Sequence, residues 1–152
     1  MLLIPWWFAQ CDQPRSEASD QEIKEEIKAM YQQHLEDLKN LDHQSLMGHY
    51  ANVDDHILFG DGEYWGNYET VSSIWGNFTK STKEVLAWEL SNQQINVLSI
   101  GTASYLMEYY NERITAEGDT AKVRGSVAYG LKKFDSGWKI LTTHVTHYPV
   151  ED

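Results

Sequence analysis

Between residues 19 and 41 apolar positions return with a helical period. Ile23, Ile27, Met30, Tyr31, His34, Leu38 and Leu41 recur at spacings of three and four, which gathers them on one stripe of an α-helix. Lys24, Glu25, Lys28, Gln32, Glu36 and Lys39 fall on the opposite face, where water solvates them. Ser19-Asp20-Gln21-Glu22 reads as a capping box: the hydroxyl accepts a free N–H at the helix start and the Glu three residues on reciprocates. Asn40-Leu41-Asp42 ends this helix, and Asp42 is placed to cap a short second one through Ser45, Leu46, Met47 and Tyr50. A short strand is predicted from Asp55 to Phe59, followed by turn chemistry in Gly60-Asp61-Gly62. After Trp65-Gly66, Asn67 can cap a third helix whose Val71, Ile74, Trp75 and Phe78 keep the i, i+3, i+4, i+7 spacing.

Beyond Lys80 the period shortens. Four long strand-like stretches follow, over residues 83–100, 102–115, 120–134 and 138–148. Gly101, Ala116-Glu117-Gly118-Asp119 and Asp135-Ser136-Gly137 separate them, the last two as hairpin signals. The polar middle of the first stretch, Ser91-Asn92-Gln93-Gln94, predicts a bulge or bend. Helices first and hairpins afterwards imply an α+β domain, with helices on one face of a curved, mostly antiparallel sheet.

Composition narrows the function classes. The 152 residues are 41% hydrophobic and 12% aromatic, with six Trp and nine Tyr, enough to fill a core or line a cavity in one domain. A mean hydropathy of -0.53 does not outweigh that. The formal net charge of -11 repels phosphate backbones, and Lys132-Lys133 is too small a cluster to reverse the field, so nucleic acid is not expected as a partner. Cys11 is the sole cysteine, which rules out an intrachain disulfide and a thiolate-rich metal site.

Cys11 closes the run Met1–Gln10, which is apolar but too short to span a bilayer, and a polar stretch to Ser19 follows it. That arrangement resembles a bacterial lipoprotein export signal, with Cys11 as the site of lipid attachment and a membrane tether as the result. No Lys or Arg precedes the run, and Gln10 stands where such signals prefer a small residue. Residues 1–19 are accordingly read as an apolar N-terminal segment and linker, and residues 20–150 as the folded domain.

Four local motifs accompany this order of elements. They are Tyr50-Ala51-Asn52-Val53-Asp54-Asp55, Trp65-Gly66-Asn67-Tyr68-Glu69-Thr70-Val71, the strand link from Ile95 to Ala103, and the closing hairpin from Leu131 to Leu141. Together they resemble the nuclear-transport-factor-2-like superfamily, and within it the SnoaL-like and DUF4440-type members. The resemblance covers roughly residues 20–148. It implies a cone-shaped α+β fold, three N-terminal helices packed on a strongly curved sheet around a cavity, and a homodimer. The superfamily includes isomerases, cyclases, dehydratases, transport adaptors and assembly domains, so the resemblance does not choose a reaction.

In such a fold the polar groups that matter face the cavity. His34 lies on the apolar stripe of the first helix, where the resemblance places an oxyanion-donating Tyr in ketosteroid-isomerase-like enzymes. A core histidine bonded to a backbone carbonyl is the competing reading. Asp61 falls near the general base of those enzymes, although Gly60-Asp61-Gly62 is also an ordinary turn; Glu63 is a looser carboxylate candidate. Trp138, Ile140, Thr142 and His144 share one side of the last strand by the period-two rule, which makes His144 the third catalytic candidate. His147 has the opposite parity and needs a bulge to join them.

Tyr31, Trp65, Trp75 and Tyr129 are the candidate ligand-binding aromatics. No His or carboxylate spacing suits a metal, and no phosphate loop or nucleophile elbow is present, so no cofactor is expected. One of the sets Tyr105, Met107, Tyr109 or Leu106, Glu108, Tyr110 must face outward and is a candidate oligomer interface. Two functions stand: a cavity for a small apolar or carbonyl-bearing molecule with acid–base chemistry, or a non-catalytic dimeric or membrane-tethered module.

Overall fold

The computed structural model describes residues 17–150. The apolar N-terminal run and the proposed lipidation at Cys11 lie outside the described residues. Helices α1 (Glu17–Lys39), α2 (His43–Met47) and α3 (Tyr68–Ser81) cover one face of a six-stranded sheet. The strands are β1 (Ile57–Gly60), β2 (Glu63–Gly66), β3 (Thr82–Ser99), β4 (Thr102–Thr115), β5 (Thr120–Phe134) and β6 (Gly137–Tyr148). Their order across the sheet is β2-β1-β6-β5-β4-β3, antiparallel throughout except for the β1–β6 pair.

The helices form where the pattern predicts. Ile23, Ile27, Tyr31, His34, Leu35 and Leu38 are buried along one stripe of α1 and pack on the sheet. α1 begins at Glu17, two residues before the expected cap at Ser19. Asp42 caps α2, its carboxylate accepting from Ser45 N at 3.1 Å. Asn67 caps α3, its side-chain oxygen accepting from Glu69 N at 3.1 Å and Thr70 N at 3.4 Å. Each accepted N–H is one that the helix itself leaves unpaired.

Gly60-Asp61-Gly62 makes the expected turn, with Asp61 at φ 51° and Gly62 at φ 87°. The turn closes a hairpin, so Glu63–Gly66 is a strand that the residue pattern did not announce. Gly60 is required by its neighbour: a Cβ there would collide with the Trp65 indole, which lies across the hairpin. In β3 the register slips between Ser91 and Gln94, and Asn92 takes a φ of 50°, the bend that the polar quartet predicts.

A second irregularity decides the geometry of the site. On β5, Leu131 pairs with Ile140 and the next residue, Gly130, pairs with Thr142, so Leu141 is an extra residue in β6. The bulge reverses the parity of the strand beyond it. Trp138 and Ile140 are buried before it; after it Thr143, Val145 and His147 line the cavity, with His147 itself exposed to solvent. The expectation that His144 shares a face with Trp138 and Ile140 is therefore corrected. His144 lies on the outer face of the sheet, exposed, with its ring edge against Phe59 at 6.2 Å. Gly130 makes the bulge possible, because without a Cβ it admits the Thr142 side chain, whose hydroxyl accepts the Gly130 N–H at 3.1 Å.

Candidate functional site: an aromatic cavity with a histidine–aspartate pair

A cavity of about 210 Å³ opens between α1, α3 and the concave face of the sheet. Three phenols, Tyr31, Tyr50 and Tyr129, line it, and all three are buried. Three indoles, Trp65, Trp75 and Trp88, form walls, with Ile74, Phe78 and Val127 between them. The set arises because α1 contributes one apolar stripe, α3 another, and β4, β5 and β6 their inward residues.

The Tyr50 phenol is ordered by hydrogen bonds. Trp75 Nε1 donates to the Tyr50 hydroxyl at 2.9 Å, and His34 Nε2 lies 3.1 Å from the same oxygen. The Tyr31 ring lies 5.7 Å from that of Tyr129, so the buried phenols cluster together. Burial pushes the Tyr129 pKa up. A phenol can donate as well as accept, so the Tyr129 O–H is available to a ligand in the cavity it lines.

His34 does not line the cavity. It stands behind Tyr50 and Tyr31, fully buried, stacked on the Tyr31 ring at 4.9 Å. Burial, with His49 beside it as a lesser cause, lowers its pKa to about 3, so the ring is neutral near pH 7. With a neutral ring, the Nε2–H tautomer donates to Tyr50 and leaves that hydroxyl's proton free.

At the other side of the cavity stands His147. Its Nδ1 lies 2.9 Å and 3.2 Å from the two carboxylate oxygens of Asp61, and its backbone N–H donates to Asp61 Oδ1 at 2.8 Å. The first of these effects on Asp61 is the backbone bond; with the ring contact it holds the carboxyl below its ordinary pKa, so Asp61 stays ionised. Trp65 stacks on the imidazole at 6.1 Å and Tyr109 meets it edge-on at 6.4 Å. Asp61 fixes the Nδ1–H tautomer, which leaves Nε2 as the basic nitrogen of a ring that lines the cavity.

Of the residues predicted to bind ligand, Tyr31, Trp65, Trp75 and Tyr129 all line the cavity. Asp61 is exposed and does not itself line the cavity, but it meets His147, which does; Glu63 is exposed on β2 outside the lining. Sequence reasoning passed over Tyr50, Trp88, Tyr109 and Arg113. Period-two alternation in β4 could have found Tyr109 and Arg113, since Tyr105, Met107, Tyr109, Asn111 and Arg113 share a face. Among the described residues no group of three or more His, Cys, Asp or Glu is placed to hold a metal.

A family model for the SnoaL-like domain matches residues 27–151. The chain belongs to the SnoaL-like family. No curated protein matches it by sequence. Solved structures show the same fold at low identity. A nuclear-transport-factor-2-like protein from Salmonella enterica superposes with a TM-score of 0.74 at 14% identity, covering 88% of this chain and 96% of that one. A candidate scytalone dehydratase from Novosphingobium aromaticivorans gives 0.74 at 13% identity over 88% and 93%. A hexachlorocyclohexane dehydrochlorinase (LinA type 2) gives 0.70 at 12% identity over 88% and 90%. This SnoaL-like chain therefore shares its architecture with proteins of several named activities, and its own chemistry rests on its own side chains.

Proposed function

We propose that this SnoaL-like domain binds a small, largely apolar, carbonyl-bearing molecule and moves a proton on it with side chains alone, as an isomerase, cyclase or dehydratase does. The observation that carries the reading is His147, fixed by Asp61, on the wall of an aromatic cavity also lined by three buried phenols. His147 Nε2 takes the proton next to the carbonyl, and the Asp61 carboxylate balances the imidazolium that results. The Tyr129 O–H donates to the enolate oxygen and stabilises it. His34 acts through Tyr50 as a positioning residue. Related folds whose names carry dehydratase and dehydrochlorinase activity fit an elimination begun by a base.

The test is a panel of cyclic ketones, aryl ketones and β-hydroxy ketones incubated in D₂O and followed by proton NMR. Exchange of the α-proton or loss of water, abolished in His147→Ala and strongly reduced in Asp61→Asn, supports the reading. Equal rates in the wild type and His147→Ala would sink it.

The non-catalytic alternative draws on the outer sheet face, where Phe59, Leu106 and Tyr148 are exposed. Under it the chain is a homodimer joined through that face. Native mass spectrometry separates the two: a dimer that carries a reproducible small-molecule mass favours the cavity, and an empty dimer favours assembly.

A further inference from the structure

Proton transfer leaves Arg113 without a task. Among the described residues it is the one lining side chain with a permanent positive charge. It projects from the inner face of β4, four residues past Tyr109, which pairs with Gly125 in the same row as His147. Tyr105 and Tyr129 form a row four residues before Tyr109. Arg113 and the phenols thus lie on opposite sides of the His147 row.

The guanidinium is oriented but not neutralised. One terminal nitrogen donates to Asn111 Oδ1 at 3.2 Å, and the group sits 5.0 Å above the Phe78 ring. Asn111 is buried and anchored in turn, its Nδ2 donating to the Ala87 carbonyl at 3.3 Å. Arg113 Nε is buried and has no acceptor among the described residues. Nor does any carboxylate among them form an ion pair with it, although the chain carries 23 acidic residues. A guanidinium in an apolar wall, held by an amide and a ring, keeps the desolvation penalty of its charge until an anion arrives.

We infer that the natural ligand carries a carboxylate, which Arg113 holds at one end of the cavity while the ligand's carbonyl or hydroxyl oxygen meets Tyr129 at the other. The substrate class is then a small oxo or hydroxy acid with an apolar body. This inference rests on the reading of the cavity as a ligand site. A carboxylate suits the donor better than a phosphate does, since the planar fork of a single guanidinium matches it. Among the described residues no other Lys or Arg lines the cavity, and a net charge of -11 disfavours a dianion.

The experiment uses the full chain and two probes of one shape, 3-phenylpropanoate and its uncharged primary amide. Binding is followed by the fluorescence of the wall tryptophans and by the NMR resonance of the Arg113 Nε–H. The acid is expected to bind the wild type about 10- to 100-fold more tightly than the amide, the range of a charge-assisted hydrogen bond. It should shift the Nε–H resonance where the amide does not, and Arg113→Met should remove the preference. Should Arg113→Met not fold, the two probes and the resonance in the wild type decide by themselves. Equal binding of acid and amide overturns the carboxylate assignment and leaves the cavity as a ligand site. Binding of neither probe overturns both readings.

Discussion

His34 governs how the domain responds to acid, and the size of the effect follows from its surroundings. The ring is fully buried under α1, stacked on Tyr31 and hydrogen-bonded to Tyr50. The groups that face it are the phenols of Tyr31 and Tyr50, the Trp75 indole and His49, none of them an anion near pH 7. Burial first, and His49 second, lower its pKa from 6.5 to about 3. In the unfolded chain the ring takes up a proton near the ordinary value, before the folded ring does. Stability from this residue is therefore complete above the unfolded pKa and falls as the pH drops from 6.5 toward about 3.

At about pH 5, roughly 1.5 pH units below the unfolded value, the loss is about 2 kcal/mol at 1.36 kcal/mol per unit. That is a large fraction of the stability of an ordinary domain. Urea unfolding at about pH 7.5 and about pH 5, for the wild type and His34→Gln, measures it. His56, whose pKa burial also lowers, adds to the loss in both proteins, so the readout is the difference between them. The variant is expected to be weaker at the higher pH but to lose about 2 kcal/mol less on acidification. An equal loss in both proteins would show that His34 protonates without unfolding, and the argument from burial would fail.

Three further changes report on separate parts of the structure. Asp61→Asn should leave the fold intact, since its amide oxygen can still accept the His147 N–H, yet lower kcat roughly 100-fold or more because no carboxylate balances the imidazolium; a kcat near wild type on any turned-over ketone would refute that role. Gly60→Ala forces a methyl group into the Trp65 indole and should cost about 1–3 kcal/mol in thermal denaturation, with a changed near-UV circular dichroism signal as Trp65 leaves His147. Asn67→Ala removes the cap of α3 and should cost about 0.5–2 kcal/mol; an unchanged Tm would mean that packing of Val71 alone fixes the helix start.

The parts of the fold governed by local periodicity were legible in the sequence. The stripe of α1, the Asn67 cap, the bend at Asn92 and the limits of β4 and β5 each follow from neighbouring residues. Parity along β6 was not, because the bulge at Leu141 arises from a contact on the adjacent strand, Gly130 against Thr142. Nothing within residues 138–148 announces it, and the period-two rule alone aligns His144 rather than His147 with Trp138. β2 was missed for a similar reason: Glu63–Gly66 is a strand because it folds back on β1, not because its own pattern alternates. Tyr31 and Trp75 were easier to foresee as lining, since they sit on helix stripes that local spacing defines, whereas Trp65 reaches the cavity from β2.

Asp61 illustrates why the proton-transfer pair was the least visible part of the site. The turn forms as the residues predict, and the proposed role of Asp61 in the site builds on it. The turn puts Asp61 at φ 51°, and the Asp61 N–H donates to the Val145 carbonyl at 2.9 Å. β1 runs parallel to β6, with Gly60 opposite Val145, so the end of β1 delivers the carboxylate beside His147, two residues further along β6. Two residues separated by 86 positions are thereby joined through one short parallel ladder of four paired residues, not through the buried core beneath α1. A short ladder at the sheet's β2–β1 end opens more readily than the long β3–β4–β5 hairpins. The geometry of the pair is therefore tied to the stability of the β1–β2 hairpin. Amide exchange at Asp61 and His147 should accordingly outpace exchange in β4 and β5. Equal protection would mean that the whole sheet opens as one unit and that the pair is as permanent as the core.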